Sequence, residues 1–235
     1  MEWHVAGGPN LAQFWVDATT KGHPLSKKIV DLATWPRAAQ FHHFRTYERP
    51  HYAVTARVDV TGVMAAKGAG LSPNRAFLYA IGAGLDAVDE LRMRFQGDVV
   101  TLDDDFAVSL PVPNRQGSFV YADVPWQRDF AAFDADCAQR LETAAQSEGL
   151  NANYQGDRAV VYVSCLPWMD YTSLTNAMPG PEDCIPRVAW GKFVDHGGRW
   201  DTAMTLEVHH ALVDGAQVGA YFAAVQTALD LIPTL

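Results

Sequence analysis

The stretch from Ala203 to Ile232 constrains this chain more than any other, because it reads as strand, turn and helix in immediate succession. Ala203-Met204-Thr205-Leu206-Glu207-Val208 alternates with the period of a half-buried strand. By parity, Met204, Leu206, Val208 and His210 point one way, and Thr205, Glu207 and His209 the other. His210 therefore falls on the apolar side, where an unpaired imidazole is poorly solvated and held neutral, as a general base must be. Asp214 follows four residues later, then Gly215, which permits a sharp turn. Beyond it Val218, Phe222, Val225, Leu229 and Ile232 fall at helical spacing. The plain alternative is a satisfied core histidine beside a turn aspartate. The HHxxxDG spacing and the strand context favour the catalytic reading.

A chain of 235 residues that is 49% hydrophobic can bury a sizeable core and predicts an α/β domain. Its net charge of −9 argues against a general binder of nucleic acid or anionic membrane, and leaves room for a local basic pocket. Cys137, Cys165 and Cys184 are odd in number and lack metal-ligand spacing, so neither a disulfide framework nor a zinc site is indicated. No run reaches the length of a membrane span, and the N-terminus lacks the pattern of a secretory leader. The expectation is a soluble, cytoplasmic protein without a metal.

Residues 1–32 carry turn signals at Gly7-Gly8-Pro9 and Gly22-His23-Pro24 and read as an extension packed on a single domain spanning 33–235. Pro36 suits the first turn of a short helix. His42-His43, taken as strand neighbours, face opposite sides and have no carboxylate or cysteine at ligand spacing. Ala53–Val60 alternates as a strand. From Ser72-Pro73 a helix carries Phe77, Leu78, Ile81, Leu85, Val88 and Leu91 along one stripe and ends in Asp89–Phe95. Val99–Leu102 and Phe106–Leu110 are strand candidates around a solvated turn, Asp103-Asp104-Asp105. Residues 129–146 predict an amphipathic helix, and Ala159–Leu166 a buried central strand. Val188–Phe193, the turn at Asp195–Arg199 and the motif strand form a hairpin.

His209-His210-Ala211-Leu212-Val213-Asp214-Gly215 resembles the active-site motif of the CoA-dependent acyltransferases, and most closely that of the chloramphenicol acetyltransferase family. Trp35-Pro36-Arg37, the Asp89-Glu90-Leu91-Arg92-Met93 run, Pro167-Trp168 through Thr172-Ser173, and Lys192 eighteen residues before His210 are similar to further signatures of that family. The resemblance implies a two-layer sandwich, a mixed sheet with helices packed on one face. It implies acetyl transfer from acetyl-CoA to a hydroxyl of a small molecule, with His210 as general base. It also implies an Arg37–Asp214 ion pair, Ser173 as oxyanion donor, Lys192 near the phosphate end of CoA, and a homotrimer with active sites between subunits. Antibiotic resistance is the role that such a resemblance suggests first.

Departures appear on both substrate sides. Gly70 stands where relatives carry a second lysine toward the CoA 3′-phosphate, with Lys67 or Arg75 as substitutes. In the acceptor pocket, His43-Phe44 replaces a phenylalanine-tyrosine pair, Glu48 an aliphatic residue and Pro50 a cysteine. A carboxylate in an apolar wall is costly to bury and favours a polar or cationic acceptor. Two other functions remain open at this point: a dihydrolipoamide acyltransferase core, and a binding homologue that kept the fold and lost the reaction.

Overall fold

The computed structural model describes residues 27–150 and 159–234, so the turns expected at Gly7 and Gly22 lie outside the described residues. A three-stranded antiparallel sheet is built from β1 (Lys27–Ile29), β4 (Val99–Asp103) and β3 (Met93–Gln96), with β4 in the middle. A seven-stranded sheet takes the order β2 (His51–Asp59), β10 (Trp200–His209), β8 (Arg187–Trp190), β7 (Ala159–Cys165), β5 (Phe106–Pro113), β6 (Phe119–Pro125). The short β9 (Val194–Asp195) pairs with the start of β10. The β5–β7 and β7–β8 pairings are parallel and the others antiparallel, which makes the sheet mixed.

Helices cover one face of this sheet. α1 (Ala38–Phe44) and α2 (Thr61–Ala66) flank β2, while α3 (Pro73–Asp86), α4 (Phe130–Ala145) and α5 (Gly215–Leu231) carry much of the core. Proline at the first position and a Ser72 side chain that accepts from the Arg75 amide start α3; Asp129 caps α4 in the same way. Two glycines lie in α3, and Gly84 has a packing reason. A Cβ there would sit 2.6 Å from the Val225 side chain, so its absence lets α3 and α5 lie close. Phe77, Ile81 and Leu85 of α3 meet Val225 and Leu229 of α5 and the even-numbered residues of β10 in one apolar layer. Among the described residues no helix is long and apolar enough to cross a membrane. The result is the two-layer α/β sandwich that the resemblance implies.

Several elements differ from the sequence reading. The helix from Pro73 stops at Asp86. Asp89–Leu91 is a single 3-10 turn and Met93–Gln96 is a strand, because Phe95 and Met93 bury themselves on the small sheet. The strands on either side of Asp103–Asp105 belong to different sheets, so that turn is a crossover and not a hairpin. β7 is central in order but alternates in burial, with Tyr162 partly exposed on the open face. His42 and His43 lie on α1 rather than on a strand, and no cluster of metal-ligating side chains forms among the described residues. β1 falls inside the stretch read as an extension and is hydrogen-bonded to β4. β3 and β6 have no counterpart in the sequence reading.

The open face of the large sheet is polar. Glu207, Arg187, Tyr162, Ser109 and Asp123 stand in register on β10, β8, β7, β5 and β6. The segment after β7 lies over one end of it. Tyr171 donates its hydroxyl to the Ala189 carbonyl at 2.8 Å and accepts from Thr205 at 3.2 Å. The amide and side-chain nitrogens of Asn176 both donate to Glu207, at 2.7 and 2.8 Å. His51 Nε2 donates to the Asp183 carbonyl at 2.6 Å. Thr205, Glu207 and His209 are therefore buried, and β10 is enclosed on both faces rather than half-buried.

Candidate active site

β10 ends at His209, and the next residues turn tightly into α5. The His210 amide donates to the Pro50 carbonyl at 2.9 Å, tying the turn to the start of β2. The His210 ring lies flat on Phe44 of α1, with centroids 3.8 Å apart and planes 7° from parallel, and Tyr52 packs on it at 4.6 Å. Two aromatic walls thus fix the plane of the imidazole. Neither ring nitrogen has a hydrogen-bond partner among the described residues, and Nδ1 is fully buried.

Its neighbour is built differently. His209 Nδ1 accepts from the Ala211 amide at 3.1 Å, so Nε2 carries the proton it donates to the Pro181 carbonyl at 2.9 Å. Burial drives its pKa down to about 4. Both nitrogens of His209 are committed to the backbone, which leaves His210 as the imidazole able to exchange a proton with a substrate.

The turn between them and α5 is held by Arg37. Its Nη1 donates to Asp214 Oδ2, its Nε to the Leu212 carbonyl at 3.2 Å, and its Nη2 to the His210 carbonyl at 3.5 Å. Arg37 is buried, and one guanidinium thereby clamps three residues of the turn. Asp214 is also the N-cap of α5: its carboxylate accepts from the Ala216 amide, and Gln217 Oε1 accepts from the Asp214 amide. Gln217, three residues after Asp214, is a capping-box signal carried by the sequence itself. Tyr52 closes the other side, its hydroxyl donating to the Val213 carbonyl at 3.4 Å. Burial pushes its pKa up to about 12, with Asp214 adding to the rise and Arg37 opposing it.

The remaining candidates lie elsewhere. Phe44 touches His210, whereas His43 is exposed and bonded to Tyr47 at 3.0 Å. Glu48 is exposed, so within one chain its carboxylate is not in an apolar wall. Ser173 is exposed and shares no hydrogen bond with His210. It sits between Tyr171 and Asn176, which bond to Thr205 and Glu207. Those two residues belong to the odd-numbered face of β10, opposite the even-numbered one. Lys192 is exposed just after β8, and its amide donates to the Met169 carbonyl at 2.8 Å. That close approach requires Gly191, whose Cβ would lie 2.6 Å from the same carbonyl. Gly70 has a conformational reason as well, with φ at +101° closing a 3-10 turn. Arg75 is engaged by Asp134 at 2.6 Å, while Lys67 is exposed and has no ion pair among the described residues.

Comparison with known proteins places this chain in a family. The family model "Chloramphenicol acetyltransferase" matches residues 25–226, starting ahead of the boundary read at 33. A chloramphenicol acetyltransferase from Bacillus pumilus is 27% identical over 79% of this chain and 86% of its own length. One from Streptomyces acrimycini is 27% identical over 85% of this chain and 93% of its own. A solved chloramphenicol acetyltransferase superposes with a TM-score of 0.80 at 24% identity, covering 87% of this chain and all of its own. The cubic core of the pyruvate dehydrogenase multienzyme complex shares the fold at a TM-score of 0.61 and 20% identity, over 84% of this chain and 89% of that one. With its fold, its motif turn and most of its length accounted for in this way, the chain belongs to the chloramphenicol acetyltransferase family of acyltransferases.

Proposed function

We propose that this protein transfers an acetyl group from acetyl-CoA directly to a hydroxyl of a small molecule. The observation that carries this reading is the His210 ring, clamped by Phe44 and Tyr52 with its nitrogens unpaired. In the step, the acceptor hydroxyl gives its proton to His210 as its oxygen bonds to the thioester carbonyl carbon. The carbon–sulfur bond then breaks, and the proton passes from His210 to the departing thiolate. Asp214 and Arg37 hold the turn and take no proton. Lys192, with Lys67 on the same reading, meets the phosphate end of CoA. A GxSxG elbow is absent from the sequence, which fits transfer without an acyl-enzyme. Retention of both His210 and Ser173 speaks against a binding homologue, and the signatures at Trp35 and Lys192 against a dihydrolipoamide acyltransferase core. Thiol release from acetyl-CoA across a panel of alcohols tests the reading, with dihydrolipoamide as the rival acceptor.

Ser173 is assigned the oxyanion, and its position supports a site shared between chains. It stands exposed on the open-face segment and shares no hydrogen bond with the His210 of its own chain, which favours a second copy supplying one of the two. A homotrimer, with His210 of one subunit facing Ser173 of the next, is the arrangement we infer. Ser173→Ala should lower kcat by ~10²–10³ with unchanged melting. Mixed with His210→Ala chains and reassembled, it should regain activity at about a quarter of the sites, since random assembly pairs two intact partners at that frequency. Two dead homotrimers that stay dead after verified mixing would show that both groups act within one chain.

Chloramphenicol is the obvious first acceptor, and we expect it to be poor. In a trimer the exposed Glu48 and His43 become part of a covered wall. A misfitting polar group in such a wall costs ~1–3 kcal/mol, or roughly 10–100-fold in kcat/KM. Glu48→Leu should therefore raise chloramphenicol turnover. Efficient acetylation of chloramphenicol by the unmodified protein would overturn this expectation and restore an antibiotic-resistance role.

A further inference from the structure

A cavity of about 610 Å³ opens on the polar face of the large sheet, beside the segment that carries Ser173. Ser109, Tyr121, Tyr162 and Ser164 contribute hydroxyls to it, and Asn176 borders it three residues after Ser173. Its size is that of a small-molecule site, but its lining is unlike the apolar wall such sites usually present. Two charged side chains take part, and they differ in state. Arg187 is buried, doubly engaged by Asp183 at 2.6 and 3.4 Å, and its guanidinium lies 5.4 Å from the Tyr162 ring. Its charge is spent within the protein. Asp123 is only partly buried, and its carboxylate has no hydrogen bond or ion pair among the described residues. The Ser109 hydroxyl beside it, on the paired strand, is likewise free although its residue is buried.

We infer that this cavity is the acceptor subsite and that it selects a positively charged alcohol, with Asp123 holding the cationic group. The inference rests on the acetyl-transfer reading, because it takes the segment from Ser173 to Asn176, whose far end lines the cavity, to bring the reacting oxygen toward it. A hydroxyl placed there leaves the rest of the acceptor lying along the row Tyr162, Ser109 and Asp123. An unpaired carboxylate at the end of a hydroxyl-lined cleft attracts a cation, orients it, and repels an anion of the same shape. Asp123 binds the acceptor and takes no part in the acyl transfer itself.

The test uses quaternary-ammonium alcohols of increasing chain length, beginning with choline, each matched to its tert-butyl isostere such as 3,3-dimethylbutan-1-ol. A quaternary nitrogen cannot itself be acylated, so thiol release reports O-transfer alone. The expected result is a kcat/KM preference for the cationic member of at least one pair of roughly 10–100-fold. Asp123→Asn should erase that preference and leave melting unchanged, and Asp123→Glu should restore it. If Asp123→Asn fails to fold, the salt dependence of the wild-type preference replaces it: raising ionic strength should shrink the cation advantage only. Equal turnover of both members, or a preference that survives Asp123→Asn, overturns the inference while leaving acetyl transfer standing. Absence of transfer to every alcohol, chloramphenicol included, overturns both.

Discussion

His210→Ala will bind acetyl-CoA almost as well as the parent and release nearly no thiol. The imidazole contributes no ion pair and no side-chain hydrogen bond to the turn, which is held instead through its backbone by Pro50 and Arg37. Removing the ring therefore opens space between Phe44 and Tyr52 without cutting a restraint on the chain. The loss falls on proton transfer, where a positioned base is worth ~10²–10⁴ in rate. The measurement is kcat against a verified alcohol beside acetyl-CoA affinity by calorimetry. A variant with near-parental turnover would remove His210 from the chemistry, and one that no longer binds CoA would make its role structural. His209→Ala is the control. It deletes a buried ring tied to Pro181 and should lower stability before it touches the chemical step.

Asp214→Ala should be the most damaging change to stability at this site. It removes the partner of a guanidinium whose side chain is only 10% exposed, and it removes the cap of α5. A fully buried pair broken on one side costs ~3–5 kcal/mol. The Asp214 side chain is 36% exposed, which lets water replace part of the lost contact and places the ion-pair share nearer ~2 kcal/mol. The cap adds ~1 kcal/mol. Together these lower the melting temperature by about 10 °C in a chain of this size. Arg37→Ala should cost somewhat less, since the stranded carboxylate can reach solvent, yet it should slow turnover as much because three turn contacts disappear. Asp214→Asn keeps the cap and loses the charge, so it separates the two contributions in a thermal melt. Unchanged melting in both alanine variants would rule the clamp out as the element holding His210.

The motif unit was readable from the chain because both of its periods are long and local: alternation through β10, then helical spacing through α5. Parity placed His209 on the face opposite Val208, while His210 lies one residue past the end of the strand, in the turn. It could not tell that the polar face of β10 would be covered, since the cover comes from Tyr171 and Asn176, remote in sequence. The same limit explains Met93–Gln96. Its local pattern continues the helical stripe of α3, and only pairing with Val99–Asp103 makes it a strand. Asp123 escaped notice because nothing about one aspartate in an alternating strand separates it from a solvated one. Its standing depends on four other strands arriving in register beside it.

The clamp on the motif turn joins residues 177 positions apart, and the β2–β10 pairing likewise joins an early strand to the last long one. Order of synthesis then matters. At ribosomal speeds, Arg37 leaves the ribosome roughly 10–35 s before Asp214 does. During that interval the guanidinium has no partner, β2 is unpaired, and the sheet lacks β10, the strand that joins β2 to the rest. The nascent chain is most exposed to misassociation over this window. A ribosome that stalls before β10 releases a product in which β2 has no partner strand and Arg37 no carboxylate to clamp.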